Sequence, residues 1–545
     1  MTRYVFVCGG VVSGVGKGVA TASIARILKG YGFRVTAVKI DPYINVDAGT
    51  MNPTEHGEVF VTEDGKECDQ DIGNYERFLG ENIPQDNYMT TGLVYQTVID
   101  RERNLGYGGK QVEVVPHIPL EVIARLERAS KKAKADFTIV EVGGTVGEYQ
   151  NILFLEAGRM MHLKEPKNVV FILVSYLPIP SMIGEMKTKP TQHAVRSMNA
   201  AGIQPDIIIA RSAVPLDEPR KRKLMLNCNI FSERDVISAP DVKSIYEVPV
   251  NFEKDKLGER IFEKFELRPR KRNLRGWYNF ARKIRRLRKT VKIAIVGKYF
   301  GTGDFTLSDS YISVIEAVKH AGWGLNRAPE ISWLDAEKYE KNRRALKELS
   351  EYHGIIVPGG FGARGVEGKL RAIEFCRKNK VPFLGLCYGL QLAAVEFARN
   401  VCGMKGAHTT EVNEKTKYPV VHTMPEQLAN IRERRIGGTM RLGAYGCELK
   451  AGTLARKAYG KQFVMERHRH RYEINNEYIQ RFLKKDFVVS GVNPERNLVE
   501  IMELKGHPFF LGVQFHPEFK SRPMNPHPLF TEFIRAAGNS KIRSN

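Results

Sequence analysis

Apolar residues along the chain fall into short continuous runs separated by segments of helical spacing and by polar, Gly- or Pro-punctuated loops. The first run, Val5-Phe-Val-Cys8, predicts a buried strand. After a glycine-rich loop, Ala20, Ile24, Ile27 and Leu28 recur at helical spacing and predict a helix through Lys29. Arg34–Ile40 predicts a second strand, Glu58–Thr62 a hairpin arm turning at Asp64-Gly65 towards Glu67, and Asp69–Arg77 the lead into a helix. Further strands are predicted at Val112–Val115, Phe137–Val142, Val169–Val174, Ile207–Ala210 and Val236–Ile237, with the clearest helix at Leu120–Lys134. A second series begins at Val291–Gly297. Its strands are expected at Gly354–Val357, Val381–Leu386, Phe487–Val489 and Phe509–Val513, and its helices at Ser308–His320, Gly368–Asn379 and Tyr388–Arg399. Strand–helix alternation with continuous apolar strands predicts an α/β fold. The expected organisation is a P-loop-like, doubly wound parallel-sheet domain at 1–267 and a second α/β domain at 291–538. In such sheets ligands sit beyond the carboxyl ends of the strands.

Charge changes this picture between the domains. Arg268–Lys292 holds twelve Lys or Arg and no acid, while Trp277, Phe280, Ala281, Ile284, Leu287 and Val291 recur at helical spacing. A basic amphipathic linker helix is expected over 268–290, its polar face solvated. Residues 539–545 read as a tail, with 542–545 disordered. The whole chain carries 84 basic and 61 acidic residues, a net charge of +23, which fits polyanionic ligands such as nucleotides. No RNA-binding signature or zinc finger accompanies it, so no nucleic-acid partner is expected. Seven scattered cysteines, with no CxxC pair, fit a reducing compartment without a disulfide framework or zinc site. The first strand begins at once, leaving no room for a leader, and no apolar run is long enough for a bilayer; a cytoplasmic protein without a membrane partner is expected.

Two stretches carry chemistry. In the first, glycines at 9, 10, 14, 16 and 18 bracket Ser13 and Lys17 between a strand and a helix. Glycines let the backbone approach closely, loop amides and the helix N-terminus attract an anion, and Lys17 neutralises phosphate oxygens. The loop departs from the usual phosphate-binding pattern: Val11 stands where the first glycine belongs, and Gly18 where a Ser or Thr would ligate Mg²⁺. Carboxylates from elsewhere are therefore expected to hold the metal.

In the second, Val381-Pro-Phe-Leu-Gly-Leu-Cys387-Tyr-Gly-Leu-Gln391 reads as strand, tight turn and helix, with Gly385 and Gly389 flanking the turn. This is the geometry of a nucleophile elbow, and a helix N-terminus favours thiolate. Downstream, His516 and Glu518 are two residues apart, so in extended backbone both face one way. Glu518 would then orient His516, and His516 would activate Cys387. Gly359 in Val357-Pro-Gly-Gly-Phe-Gly362, with the Tyr388 amide, is a candidate oxyanion hole.

Gly-x-Cys-x-Gly-x-Gln with a distal His-Pro-Glu resembles a class I glutamine amidotransferase, and the first domain resembles the synthetase of the CTP synthase family. The resemblance runs over about residues 1–535. Its segments include Lys39-Ile-Asp-Pro-Tyr-Ile-Asn-Val-Asp47, Asn74-Tyr-Glu-Arg77, Glu141-Val-Gly-Gly-Thr-Val-Gly147, Lys187-Thr-Lys-Pro-Thr-Gln192, Gly437-Gly-Thr-Met-Arg-Leu-Gly443 and Arg467-His-Arg-His-Arg471. It implies ATP-dependent amination of UTP with ammonia from glutamine. ATP would lie over Gly14, Val15, Gly16, Lys17, Gly18 and Val19, its base near Pro240, Asp241 and Val242, with Asp71 and Glu141 as Mg²⁺ ligands and Lys39 a second phosphate lysine. UTP would be held by Ser13, Lys187, Thr188, Lys189, Pro190, Thr191, Gln192 and Lys223, and inhibitory CTP would also reach Glu148, Tyr149 and Gln150. Glutamine would be read by Gly360, Tyr388, Gly389, Leu390, Gln391, Glu411 and Arg471, Glu411 matching its ammonium and Arg471 its carboxylate. Pro53, His56 and Val59 resemble an ammonia gate, GTP is the implied activator with Arg441 near its region, and a homotetramer is implied. Four positions depart from the family: Gln70 replaces a leucine, Gln150 a carboxylate, Pro240 a lysine, and Tyr388 a leucine. A cobyrinic acid amidase, a DNA-binding nucleotide switch and an idle nucleotide-sensing filament are the rival readings. The Lys187–Gln192 segment opposes the first, the complete Cys, His and Glu set the second, and Lys17, Asp71 and Cys387 the third.

Overall fold

The structure, a computed structural model, describes residues 2–182, 184–298, 301–302, 305–306, 308–433 and 437–540. The tail expected over 542–545 lies outside the described residues. The chain forms two compact units. One comprises the residues up to Ala48 with Asp71–Arg282, the other Gly49–Gln70 with the residues from Lys283 on. The hairpin segment 49–70, assigned by sequence order to the first domain, thus groups with the second unit. Phe60 packs its ring 4.8 Å from that of Phe519, and Glu63 takes a 2.8 Å ion pair from Arg467.

The first unit is built on a seven-stranded parallel sheet in the order Tyr88–Thr90, Val35–Asp41, Phe137–Val142, Arg3–Gly9, Val169–Tyr176, Ile207–Ser212, Val236–Pro240. Successive residues of Arg3–Gly9 are buried on both sides: Phe6 and Cys8 enter one core, while Val5 and Val7 are equally sealed. This two-sided burial is why the central strands read as unbroken apolar runs. The strand expected at 112–115 does not form. Its valines are largely exposed, and helix Val114–Lys132 begins there, with Pro119 inside it and Val115 off helical geometry. An apolar run alone does not distinguish a buried strand from a helix entry. The short edge strand Tyr88–Thr90 has no run long enough to read.

The basic segment forms helix Arg275–Arg286, which carries its apolar side on the first unit. Trp277 is 1% exposed, donates from its indole to Tyr246 O at 2.9 Å and packs against Phe78.

The second unit holds a nine-stranded sheet. Ala328–Asp335, Thr290–Gly297, Gly354–Val357, Phe383–Leu386 and Phe510–Val513 run parallel. Leu498–Leu504, Phe487–Asn493, Arg441–Leu449 and Phe463–His470 continue it antiparallel. Three of these antiparallel strands carry charged residues among the apolar ones, such as Glu500 and Glu503, Arg441 and Glu448, and Glu466, Arg467 and Arg469, so the run-based reading catches only Phe487–Val489 of this half.

Candidate active sites

In the first unit, strand Arg3–Gly9 leads through the glycine-rich loop into helix Lys17–Gly30. Gly14 and Gly16 adopt positive φ (68° and 86°), and a Cβ at Gly16 would stand 2.7 Å from the Arg211 guanidinium. Lys17 Nζ donates to Gly144 O at 2.7 Å, and burial lowers its pKa. A Cβ on Gly18 would lie 1.8 Å from Asp71 Oδ1, so the Asp71 carboxylate already fills the place a Ser or Thr side chain would take. The space of the missing hydroxyl is thereby taken by a carboxylate oxygen.

Lys39, on strand Val35–Asp41, bridges Asp71 Oδ2 at 2.5 Å and Glu141 Oε1 at 2.9 Å. Tyr75 donates to the second oxygen of Glu141. Burial, then the Asp71 charge, raises the Glu141 pKa. Two carboxylates converging on one ammonium are hard oxygen donors around a point that favours a cation, which fits Mg²⁺.

Around the loop, Pro240 and Val242 line an apolar slot with Gly16, Val19, Ala20 and Phe252, and Asp241 pairs with Arg211 at 2.7 Å. Arg211, which the sequence reading missed, therefore lies between the loop and the slot. Its only sequence signal is a charge at the end of a buried strand. Thr188, Lys189, Pro190, Thr191 and Gln192 form the start of helix Lys189–Ala200. There Gln192 donates to Thr188 at 3.1 Å and Thr191 bonds Ser175, the residue on which Gly10 rests. Lys187 pairs with Glu185, while Ser13 and Lys223 are exposed on separate segments. Glu148 accepts from the Thr145 amide at 3.0 Å and from Gln150 at 3.1 Å. These bonds outweigh partial burial and hold its carboxyl below its usual range. Gln150 thus stabilises Glu148 where a second carboxylate would repel it. Tyr149 is 96% exposed.

In the second unit, strand Phe383–Leu386 ends at Cys387, whose backbone (φ 50°, ψ −99°) is strained, and helix Tyr388–Asn400 follows. The glycine spacing has a steric cause: a Cβ at Gly385 would meet Gly389 backbone at 2.8 Å, and one at Gly389 would meet Val357 O at 2.1 Å. His516 Nδ1 lies 2.7 Å from Glu518 Oε1. The pair meets by a different route from the expected one. The strand stops at Val513 and Glu518 sits in a 3-10 turn, Pro517–Lys520, so a turn and not extended backbone brings the two together. Burial opposes a charged His516, but Glu518 and, after it, Cys387 outweigh it and raise its pKa to about 10. A Cβ on Gly359 would stand 3.0 Å from His516 Cε1 and 3.7 Å from Cys387 Cβ, so the bare Gly359 backbone borders both. The sequence reading missed Gln514, whose amide lies 3.7 Å from Cys387 Sγ; the two-residue step back from His516 was its signal.

The residues expected to read glutamine have protein partners. Glu411 accepts from the Gly362 amide at 2.6 Å, Arg471 donates to Gln427 at 2.6 Å and Thr439 at 2.8 Å, and Gln391 donates to Tyr472 O at 2.8 Å. Tyr388 is buried and its hydroxyl reaches Gly362 O at 3.3 Å. Lys369 Nζ lies 5.5 Å from the centre of that ring, and burial drives its pKa down to about 7. Arg441 is 3% exposed and paired with Glu500 at 2.7 Å, so its guanidinium points into the protein.

Comparison with known proteins decides the family. Residues 3–267 match the family model described as CTP synthase N-terminus, and residues 306–536 that of glutamine amidotransferase class-I. CTP synthase of Thermococcus gammatolerans is 50% identical over 99% of both chains, and that of Caldanaerobacter subterraneus 48% identical over the full length of both. The chain belongs to the CTP synthase family. It is a C–N ligase that aminates UTP to CTP with glutamine as nitrogen source and ATP as co-substrate, a step of pyrimidine nucleotide synthesis. A solved glutaminase domain of Trypanosoma brucei CTPS with bound acivicin is 36% identical, covers 46% of this chain and 95% of its own, and has a TM-score of 0.42. Among the described residues no helix is long and apolar enough to cross a membrane.

One prediction concerns the triad. Glu518→Gln removes the charge that favours imidazolium at His516, so His516 becomes a poorer acceptor for the Cys387 proton. Alkylation of Cys387 by iodoacetamide should shift to higher pH, and glutamine hydrolysis should fall about 100-fold. The same shift has a stability consequence. The folded pKa of His516 lies above the unfolded value near 6.5, so its contribution is complete below about pH 6.5 and is lost as pH rises through about 10.

Proposed function

We propose that the reaction runs through two sites on this one chain. The observation carrying the reading is the arrangement of Cys387, His516 and Glu518 together with Lys17, Lys39, Asp71 and Glu141. ATP phosphorylates O4 of UTP: the O4–phosphorus bond forms, ADP leaves, and the 4-phosphoryl group becomes a leaving group. Lys17 and Lys39 neutralise phosphate charge, and the loop amides position the nucleotide. Mg²⁺, held by Asp71 and Glu141, would supply charge neutralisation on the transferring phosphoryl group. The adenine base occupies the slot at Pro240–Val242, and Ser13, Lys187–Gln192 and Lys223 hold UTP.

At the second site Cys387 attacks the glutamine side-chain carbonyl. The oxyanion faces the amides at Gly359 and Tyr388, and His516 passes the thiol proton to the departing ammonia. Glu411 and Arg471 hold the ligand's ammonium and carboxylate, and Gly360 and Gly389–Gln391 line it. Water then hydrolyses the thioester. Ammonia is delivered internally, past Pro53, His56 and Val59, because in water it would be protonated and lose its lone pair. It displaces phosphate at C4 to give CTP.

CTP inhibits by overlapping the UTP triphosphate site and reaching Glu148, Tyr149 and Gln150, and GTP activates. The domains run 1–267 and 291–538, and the enzyme works in the cytoplasm as a homotetramer. Exposed Ile99, Leu105, Val114, Leu120, Ile152 and Leu163, on the first unit, support self-association. Light scattering should give four chains per particle in nucleotide. The deciding assay supplies UTP, ATP, Mg²⁺ and either glutamine or ammonia. CTP is expected from both nitrogen sources, and its absence with both would sink the reading.

A further inference from the structure

Strand Phe463–His470 holds the triad by its backbone. Arg467 O accepts from His516 N at 2.7 Å, and Arg469 O lies 3.8 Å from Cys387 Sγ. The same strand carries His468 and His470, both buried and neither used by the glutaminase chemistry above. They form a chain with three links, two of them hydrogen bonds and the last a longer approach to a carboxylate. His470 Nδ1 is 3.0 Å from Tyr472 O, His468 Nδ1 is 3.0 Å from His470 Nε2, and His468 Nε2 is 3.6 Å from Glu500 Oε2. Glu500 Oε1 is held by Arg441 at 2.7 Å.

Protons can be counted along this chain. Tyr472 O only accepts, so His470 Nδ1 carries a proton and its Nε2 offers a lone pair. His468 must then donate from Nδ1, leaving a lone pair at Nε2 that faces a carboxylate oxygen, itself acceptor-only. Three links need three protons, and two neutral imidazoles bring two. His468 Nε2 and Glu500 Oε2 are both buried, and neither makes a hydrogen bond. Two buried acceptors facing each other are costly.

We infer that Glu500 and His468 bind and share this third proton, and that both are positioning residues for the glutaminase. They fix the strand that holds Cys387 and His516, and the charge they gain opposes a cation on His516. Burial pushes the Glu500 carboxyl up to about 7 against the pull of Arg441. Burial, Arg441 and His516 push His468 well below its ordinary value, which leaves Glu500 as the main seat of the proton. The groups facing the pair are Arg441, Tyr445 and Cys447 from strand Arg441–Leu449, His470 from its own strand, and Gln514 and His516 beyond strand Phe510–Val513.

The inference rests on Cys387 and His516 being the glutaminase pair, and the test separates the two. In the full chain, the rate of iodoacetamide alkylation is followed by mass spectrometry at the Cys387 and Cys402 peptides across pH. The expected wild-type profile at Cys387 has a main step and a smaller one near neutrality, where the rate falls roughly three- to tenfold as the shared proton binds. Glu500→Gln keeps the acceptor for Arg441 and offers an amide N–H to His468 Nε2, but has no proton to exchange. It should lose the smaller step and react more slowly at pH 8. If that variant does not melt cooperatively, His468→Gln should lose the step likewise. A wild-type profile with one step overturns the inference, as does either folded variant keeping two. A Cys387 no more reactive than half-buried Cys402 instead removes the glutaminase reading beneath it.

Discussion

Cys387→Ala should abolish CTP formation from glutamine, by at least about 10⁴-fold, and leave CTP formation from ammonia within about twofold of wild type. The thiol is the atom that would accept the acyl group, and no neighbouring side chain substitutes for it. Gln514 and the Arg469 carbonyl, both beside its Sγ, are not nucleophiles. The substitution should also be structurally mild. Cys387 is 4% exposed, its strained backbone is held by a 2.7 Å bond from its amide to Val513 O, and alanine keeps that bond. Positive φ at a non-glycine residue is costly for alanine as for cysteine, so the elbow is set by its surroundings and not by the thiol. The measurement is CTP production with each nitrogen source at saturating UTP and ATP. Loss of ammonia-dependent synthesis to the same degree would show that Cys387 matters to the fold and not to the release of ammonia.

The elbow was legible because steric demand leaves marks in sequence. Gly385 and Gly389 must be glycine where backbone meets backbone, and that spacing announces the turn. The glycine-rich turn after the first strand was legible for the same reason, since Gly14 and Gly16 sit at positive φ. Parallel strands such as Phe137–Val142 were bounded correctly because burial on both faces makes them uniformly apolar. Where polar residues enter the interior, the pattern fails. Strand Phe463–His470 contains Glu466, Arg467, His468 and His470, all buried, and nothing local distinguishes it from a surface segment. Its partners, Glu63 for Arg467 and Glu67 for Arg469, lie some four hundred positions away. The grouping of 49–70 with the second unit is hidden for the same reason. Val112–Val115 shows the opposite error, valines of which Val114 and Val115 stand exposed at a helix entry.

Gly18→Ala should abolish CTP formation with glutamine and with ammonia alike, by about 100-fold or more, while glutamine hydrolysis at Cys387 persists. The added methyl would stand 1.8 Å from Asp71 Oδ1 and 2.4 Å from Asp71 Cγ, well inside contact distance. Asp71 cannot simply swing aside, because its second oxygen is bound to Lys39 and Asn74 donates to the first. The variant must therefore displace the carboxylate that, with Glu141, suits Mg²⁺. Overpacking of this kind costs about 1–3 kcal/mol, a drop of several degrees in the melting temperature of the first unit. The double variant Gly18→Ala with Asp71→Ala separates the two effects. Removing the carboxylate relieves the collision, so the melting temperature should recover most of the loss and the two changes should be far from additive. CTP formation should stay low, because a site with Glu141 alone has lost one of its two hard oxygen donors. Recovery of activity along with stability would mean that Asp71 is only an obstacle to a side chain at 18. Recovery of stability without activity would place glycine in this loop because of Asp71, with Asp71 taking over the role that a Ser or Thr plays in the more usual form.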